Sequence, residues 1–473
     1  MASHNNIKVH EHSFVAPTSL TQTASLPLTF FDLFWIRNQP VERIFFFSFH
    51  SQSHSSFFFE KVVPNLKTSL SHALQHFFPL AGKIVWPCDF KKPIIHYTPG
   101  DAVSFVVAES DADFNHVLSN TPHETAVSRS LIPHLESSDS HASVISLQIT
   151  LFPNRGFSIG ISAHHAVLDG KSSTLFLKAW AFLCQTNNEE LSSSSLVPEL
   201  VPFFERTVIK EPTELGARIH DWTEVLSKLF PHKSNDGRSL KILPSQPKIV
   251  DTVRATFVLT RVDLDKIKKR VLSKWDDLNG GESSNSKPKT LSTFVITCAY
   301  TLVCIAKAIK GVQKERQKFA FGFTVDCRNR LEPPIPENYC GNCVWGQLVD
   351  TDPLDFIKEE GVVIVAKSIY NKIKKLDEGV FQGADKAHGR YIALAKEGVE
   401  VMGIAGSNRF GVYGIDFGWG KPSKVEITSV DRGLTFGFTE SKDGKGGVEV
   451  GLVLNKHEMD LFDTFFHGGL CDD

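Results

Sequence analysis

The chain has 473 residues, with 41% hydrophobic and 22% charged side chains, proportions typical of a folded globular protein rather than a disordered one. Its 51 basic and 53 acidic residues leave a formal net charge of -2 at pH 7. This near balance excludes the strongly basic surface that general nucleic-acid binding requires, so any anionic ligand must be held by a local cluster of donors.

Segments with the pattern of β-strands recur throughout the chain and alternate with helical patterns. The predicted strands are residues 43–50, 94–97, 143–150, 157–163, 252–259, 319–325, 424–429, 434–439 and 448–454. The predicted helices are residues 59–76, 173–184, 263–274, 290–309 and 353–376. Helices and strands mixed on this scale indicate an α/β protein.

A polar stretch from residue 186 to about residue 241 is the best candidate for a domain boundary. It contains a serine run, several prolines and mixed charges between two regions with regular patterns. We therefore predict an N-terminal domain at residues 1–205, a linker or crossover at residues 206–241, and a C-terminal domain at residues 242–473.

The sequence indicates neither a membrane nor an oxidising compartment. The N-terminal residues lack the apolar segment of a secretory signal, and the longest apolar run, residues 294–306, is shorter than the ~20 residues that span a bilayer. The eight cysteines are scattered, and the close pair Cys340 and Cys343 has no second pair or histidine cluster to complete a zinc site. We expect a cytoplasmic protein with reduced thiols and no metal.

The most informative segment is a predicted strand that ends in two histidines. Small and apolar residues alternate over residues 157–163, His164 and His165 follow, and Asp169 and Gly170 form a turn before a predicted helix. Catalytic groups are common where a rigid element runs into a loop. An imidazole, with an unperturbed pKa near 6.5, can remove a hydroxyl proton at neutral pH. A carboxylate four residues away can fix the loop or the ring tautomer.

The motif alone leaves other interpretations open. With 19 histidines, about one H-x-x-x-D match is expected by chance, and a second match at residues 232–236 lies in the polar linker without a flanking strand. A buried structural histidine at position 165 is equally consistent with the spacing. Residues 156–160 also fit the G-x-S-x-G elbow of a serine hydrolase, with Ser158 as nucleophile. The strand pattern, however, continues through the serine, where that elbow requires a turn.

The segment Ala163-His-His-Ala-Val-Leu-Asp-Gly-Lys-Ser172 resembles the active-site block of the BAHD acyltransferases of plants. The second signature of that family, D-F-G-W-G, is present in full from Asp416 to Gly420. Further similar blocks are residues 26–32, 78–82, 292–295 and 325–328. The resemblance covers nearly the full length. It implies a two-domain, chloramphenicol acetyltransferase-like fold of the CoA-dependent acyltransferases, in which each domain is a mixed β-sheet flanked by helices and a channel runs between them.

The resemblance also implies roles for the histidine and aspartate residues of both motifs. His165 would be the general base, and Asp169 would point away from it and hold the loop, paired with an arginine. Asp416 would be structural and form an ion pair, with Arg328 or Arg330 as the expected partner, although this aspartate is sometimes regarded as catalytic.

For the phosphates of CoA, the resemblance suggests two binding segments. One is the basic helix that contains Lys268 and Lys269, and the other contains Ser292 and Thr293. A solvated helix face explains the basic run equally well.

Residues 337–343 resemble the Y-F-G-N-C block of a subgroup that acylates glucosides of anthocyanins, flavonoids and other phenolics, with Cys340 in place of phenylalanine. The donors of that subgroup are malonyl-CoA and hydroxycinnamoyl-CoAs, and malonyl-CoA is favoured here. Lys171 is a candidate cation for the malonyl carboxylate, although a solvent-facing position explains it equally well.

We therefore expect a monomeric enzyme without a permanently bound cofactor. It would transfer a malonyl group from acyl-CoA to a sugar hydroxyl, the 6-position of glucose in the subgroup, of a phenolic glucoside. The alternatives are a hydroxycinnamoyl-CoA donor, a serine hydrolase that uses Ser158, and an inactive small-molecule binder.

Overall fold

The computed structural model of the protein describes residues 7–49, 55–186, 196–212, 238–243, 251–276, 287–383, 390, 393–394 and 396–471. The second H-x-x-x-D match, at residues 232–236, and most of the predicted linker lie outside the described residues.

The described strands follow the predicted ones closely and add several short or polar strands. They are β1 (Ile7–Val15), β2 (Ala24–Pro27), β3 (Val41–Ser48), β4 (Lys83–Val85), β5 (Ile94–Tyr97), β6 (Val103–Ser110), β7 (His123–Glu124), β8 (His141–Ser143), β9 (Ile145–Phe152), β10 (Gly156–Ala163), β11 (Thr252–Leu259), β12 (Phe319–Asp326), β13 (Val344–Leu348), β14 (Glu400–Ser407), β15 (Lys424–Ile427), β16 (Thr435–Glu440) and β17 (Val448–Asn455).

The described α-helices are α1 (Phe30–Leu33), α2 (Ser55–Phe57), α3 (Val63–His76), α4 (Phe114–Leu118), α5 (Thr125–Ser130), α6 (Gly170–Gln185), α7 (Arg261–Ser273), α8 (Thr293–Val312), α9 (Gly361–Lys375) and α10 (Lys456–Cys471). A π-helical segment, Phe58–Val62, joins α2 to α3. Short 3-10 helices are Phe78–Leu80, Pro198–Leu200, Arg206–Val208, Arg328–Arg330, Asp355–Ile357, Leu376–Glu378, Val412–Gly414 and Thr428–Arg432.

The predicted helix at residues 353–376 begins later than its periodicity suggests. The carboxylate of Asp355 accepts hydrogen bonds from the hydroxyl of Thr351 and the peptide N–H of Asp352, which closes a local turn. The chain then forms a 3-10 helix at Asp355–Ile357, and α9 begins only at Gly361. Side-chain bonding to a nearby backbone group therefore replaces the first turns of helix here.

The N-terminal domain is built on a six-stranded mixed sheet in the order β1-β6-β9-β10-β3-β15. β10 pairs antiparallel with β9 on one side and with β3 on the other along its whole length. All eight residues of β10 are buried. The loop that follows Ala163 therefore begins from the centre of a rigid layer.

The C-terminal domain is built on a seven-stranded mixed sheet in the order β13-β12-β14-β16-β17-β11-β7. A smaller sheet, β2-β5-β4-β8, packs within the N-terminal part of the chain. Two large apolar cores accompany the main sheets, one around Phe47 and Trp180 and the other around α8 and Phe257. The α/β class and the two sheet-containing domains predicted from the sequence are thus confirmed.

The two main sheets exchange strands. β15, from the C-terminal part of the chain, pairs with β3 in the first sheet, and the short β7 pairs with β11 in the second. The division at residues 206–241 stays a prediction, because residues 213–237 lie outside the described part of the chain. The exchange makes the two domains one interlocked unit, which fixes the walls of any cavity between them.

Helix α8 contains the apolar run noted in the sequence and is longer than that run. Its 20 residues have a mean hydropathy of 1.6, enough by length and composition to cross a membrane, but 78% of the apolar window is buried inside the protein. It packs against α9 and α10 as the central helix of the second core. An apolar helix that is covered on all sides by its own protein is a core helix.

Candidate active site

A cavity of about 1670 Å³ lies between the two domains. Its walls come from both: His165, Gly170 and Trp35 on the N-terminal side, and Ser292 and Phe410 on the C-terminal side. Ordinary small-molecule pockets have volumes of about 300–1,000 Å³. This cavity is therefore large enough for two substrates at once, and it lies where the resemblance places the channel.

His165 enters the cavity on the loop between β10 and α6. Asp169 is the N-cap of α6, and its carboxylate accepts a hydrogen bond from the peptide N–H of Ser172 at 2.8 Å. The loop is thus fixed at both ends, by the buried strand before it and by the capped helix after it. Such an anchored loop holds its side chains in one arrangement.

The two adjacent histidines differ completely in environment. His164 is fully buried, its Nδ1 accepts a hydrogen bond from the peptide N–H of Ala166 at 3.2 Å, and burial lowers its pKa to about 3. His165 is partly exposed and lines the cavity. His164 is therefore a core residue, and His165 is the histidine that a substrate can reach.

The ring of His165 is held by an aromatic neighbour. The indole of Trp35 stacks on the imidazole with 3.8 Å between ring centroids and 3° between ring planes. Nδ1 of His165 is buried without a hydrogen-bond partner among the described residues. Nε2 is not buried in this way. Nε2 is therefore the ring nitrogen that faces the cavity, and Trp35 restrains the plane in which it lies.

Burial lowers the pKa of His165 to about 4, against smaller opposing effects from its own peptide group and from Asp169. Burial favours the neutral imidazole because the charged form loses its hydration. The ring is therefore unprotonated at neutral pH, which is the state that a general base requires.

Asp169 does not contact the ring of His165; it ties the loop to the C-terminal domain. Its second carboxylate oxygen accepts hydrogen bonds from Nη2 of Arg328 at 2.9 Å and from the peptide N–H of Cys343 at 3.1 Å. Burial alone would raise the pKa of Asp169, but Arg328 and the peptide N–H groups outweigh it and lower the pKa below its usual value. The predicted arginine partner of Asp169 is thus Arg328.

A second buried connection supports the backbone of His165. Nδ2 of Asn342 donates to the carbonyl oxygen of His165 at 2.7 Å and to Oδ1 of Asp32 at 3.0 Å. Asp32 is fully buried and is also bonded to Thr29. Residues 26–32 and residues 337–343, which the sequence singled out only by family resemblance, therefore meet behind the loop that carries His165.

The expected arginine partner of Asp416 is wrong. Oδ1 of Asp416 accepts hydrogen bonds from the peptide N–H groups of Gly418 and Gly420 at 2.7 and 3.0 Å. Both glycines have positive φ, near +99° and +97°, so the carboxylate closes a turn that other residues rarely adopt. Arg328 is already engaged by Asp169, and Arg330 pairs with Asp377.

Asp416 does not line the cavity, and its side chain bonds within its own turn. The neighbouring Phe417 packs edge-on against Trp180, with 4.9 Å between centroids, and Trp419 packs against Phe157. The D-F-G-W-G segment is therefore attached to the N-terminal core. This placement favours the structural role for Asp416.

The predicted CoA-binding residues fall in two places. Lys268, Ser292 and Thr293 line the cavity, with Ser292 as the N-cap of α8. Lys269 is exposed and is not part of the cavity wall.

Lys171 lines the cavity, but its charge is already balanced. Its Nζ forms ion pairs with Glu337 and, at 3.4 Å, with Asp326. A cation with two carboxylate partners is a poor candidate for holding a third carboxylate.

Ser158 lies in the middle of β10, where it is fully buried and its hydroxyl has no described partner. It does not line the cavity, and the strand continues on both sides of it instead of turning into a helix. The serine hydrolase interpretation is therefore wrong, because a nucleophile must reach its substrate. The described residues also contain no group of three or more potential metal ligands.

A two-domain mixed α/β fold with a histidine in the wall of an interdomain cavity is that of the CoA-dependent acyltransferases, and the chain is an acyltransferase. The model of the Transferase family matches residues 5–467, and the chain belongs to this family, the BAHD acyltransferases.

Among its relatives, phenolic glucoside malonyltransferase 1 of Arabidopsis thaliana is 42% identical over 98% of each chain. A malonyl-CoA:anthocyanidin 5-O-glucoside-6''-O-malonyltransferase of the same plant is 38% identical over 96% of each chain. The crystal structure of vinorine synthase has the same fold, with a TM-score of 0.68 and 18% identity over 98% of each chain.

Proposed function

We propose that the protein transfers a malonyl group from malonyl-CoA to a sugar hydroxyl of a flavonoid or other phenolic glucoside. The observation that carries the chemistry is the exposure of the neutral imidazole of His165 in a cavity walled by both domains. The substrates are supported by the full-length similarity to two plant malonyltransferases.

In the proposed reaction, both substrates are bound together and no acyl-enzyme forms. Nε2 of His165 accepts the proton of the sugar hydroxyl while the hydroxyl oxygen attacks the thioester carbonyl. The tetrahedral intermediate then collapses, the carbon–sulfur bond breaks, and the imidazolium returns its proton to the CoA thiolate. The products are one ester and one free thiol. Asp169 positions the loop and takes no proton itself.

Coenzyme A is proposed to enter from the C-terminal side of the cavity. Lys268 lines the cavity there, with its Nζ 3.3 Å from the exposed carboxylate of Asp265, and Ser292 and Thr293 lie at the N-terminus of α8. The peptide N–H groups at a helix N-terminus favour anions such as phosphate. Lys269 has no part in this proposal, because it is exposed outside the cavity.

The proposal is tested by offering the purified protein malonyl-, acetyl- and coumaroyl-CoA with a panel of phenolic glucosides and their aglycones. We expect a malonyl ester on the sugar, with one free thiol released per ester, and no product from aglycones. Mass spectrometry identifies the acyl group and the acceptor, and a His165→Ala protein is the matched control. A preference for coumaroyl-CoA would support the alternative donor and contradict malonyl transfer.

A further inference from the structure

Arg43 is a buried cation in the wall of the cavity. Its side chain begins on β3, next to the strand that carries the histidine loop, and it is 3% exposed. Nη1 donates to the hydroxyl of Thr174 at 2.8 Å, and Nη2 lies 3.4 Å from the carbonyl oxygen of Gly170. The guanidinium also lies 5.4 Å from the ring centre of Phe410, on the opposite wall. It therefore lies where the two domains meet.

Both of these hydrogen-bond acceptors are neutral, and Arg43 has no carboxylate within ion-pair distance among the described residues. Its Nε is buried without a partner. A guanidinium has five N–H donors, so most of its capacity is unused. Buried charges are ordinarily paired, because an uncompensated charge in the interior is costly.

The surrounding charges leave this corner positive. Asp169, at the end of the loop that carries His165, is already paired with Arg328. The carboxylate of Glu440, which accepts a hydrogen bond from the peptide N–H of Tyr413, acts by its charge to raise the pKa of both Arg43 and Lys178, which burial lowers. Two buried or half-buried cations thus share one carboxylate. An anionic group of a bound ligand would compensate the remaining positive charge.

We infer that Arg43 binds the free carboxylate of the acyl donor, and so selects malonyl-CoA over neutral acyl-CoAs. The inference rests on the proposed function. A malonyl carboxylate is one methylene away from the reacting carbonyl, so its partner must lie beside the loop that carries His165. Arg43 meets this condition through Gly170, the first residue of α6, which directly follows that loop. Arginine can also bind a carboxylate with two parallel N–H bonds.

The packing beside the guanidinium is close at Gly170. A Cβ atom added at Gly170 would lie 3.2 Å from Nη2 of Arg43 and 2.8 Å from the ring of Phe410. Only glycine at this position therefore lets the ring of Phe410 and the guanidinium approach the start of α6 this closely. Lys171, the cation that the sequence suggested for the carboxylate, already has Glu337 and Asp326 as partners.

The test measures kcat/KM for malonyl-CoA divided by kcat/KM for acetyl-CoA, with an uncharged glucoside as acceptor, in wild type, Arg43→Met and Lys171→Met. We expect Arg43→Met to lower this ratio by about 10- to 100-fold, the equivalent of one charged hydrogen bond. Acetyl transfer should fall much less, which also reports that the variant is folded. Lys171→Met should leave the ratio unchanged.

An unchanged ratio in Arg43→Met, or a lower ratio in Lys171→Met alone, would overturn the inference. If Arg43→Met does not fold, Arg43→Lys is measured, because lysine keeps the charge but cannot form two parallel bonds; the ratio must then still fall. Acetyl transfer to glucosides with and without a carboxylate is compared as well. Selective loss of the carboxylated acceptor in Arg43→Met would place the anion on the acceptor and overturn the inference.

A wild-type protein that does not prefer malonyl-CoA would contradict the proposed donor itself. That outcome is visible before any variant is made. The failure of the proposed function and the failure of the Arg43 inference are therefore distinguishable.

Discussion

Replacement of His165 by alanine is expected to lower kcat for acyl transfer by about 10²- to 10⁴-fold, the usual contribution of a general base. The imidazole lines the cavity and makes no described side-chain hydrogen bond that the fold requires, so the variant should remain folded. Substrate binding should change little, because the loss lies in proton transfer. Release of free thiol from acyl-CoA in the presence of a glucoside measures the rate.

Ser158→Ala is the matched control for this experiment. Ser158 is a buried residue on the strand that leads to His165, and its hydroxyl is outside the cavity. Its removal should have little effect on the rate. Normal turnover by His165→Ala would contradict the assignment of the base, whatever the behaviour of the serine variant.

Replacement of Arg328 by methionine is expected to destabilise the protein by about 3–5 kcal/mol, because it leaves the carboxylate of Asp169 buried without its ionic partner. Arg328 is fully buried, and Nη2 also contacts the hydroxyl of Ser172 and the carbonyl oxygens of Tyr339 and Gly341. The loop that carries His165 would lose its attachment to the C-terminal domain, so activity should fall as well.

Arg330→Met provides the control, since Arg330 lies two residues away and its ion pair with Asp377 is at the surface. An exposed pair of this kind contributes about 0–1 kcal/mol. Chemical denaturation of the three proteins, followed by circular dichroism, compares their stabilities. Equal stability of Arg328→Met and wild type would show that the buried pair does not anchor the loop.

The parts of the fold that the sequence predicted are those with a strong local pattern. Alternation in residues 157–163 identified β10, whereas α6 begins at Gly170, three residues before the predicted helix, because Asp169 is its N-cap. The polar strand β1 was missed, because it is an edge strand with most of its residues exposed. The pairing of strands was harder to predict than the strands themselves. Nothing in the pattern of residues 424–429 indicates that β15 joins the sheet of the other domain.

The same limit applies to the site. The position of His165 followed from a motif, but the stack with Trp35 depends on a contact between residues 130 positions apart, for which the sequence carries no signal. Asn342 lies in a recognisable block, yet its bond to His165 appears only in three dimensions. The prediction of an arginine partner for Asp416 was wrong for the same reason. The positions of the arginines in the sequence do not show which carboxylate each one reaches.

The pH dependence of kcat/KM tests the role of His165 most directly, because the rate should follow the neutral imidazole. Burial lowers the pKa of His165 to about 4, so the wild-type rate should hold at pH 6 and decline only below about pH 5, as the ring takes up a proton. The residual activity of His165→Ala should lack this decline over the range in which both proteins stay folded. The same decline of kcat/KM at low pH in His165→Ala would contradict the role of His165 as the general base.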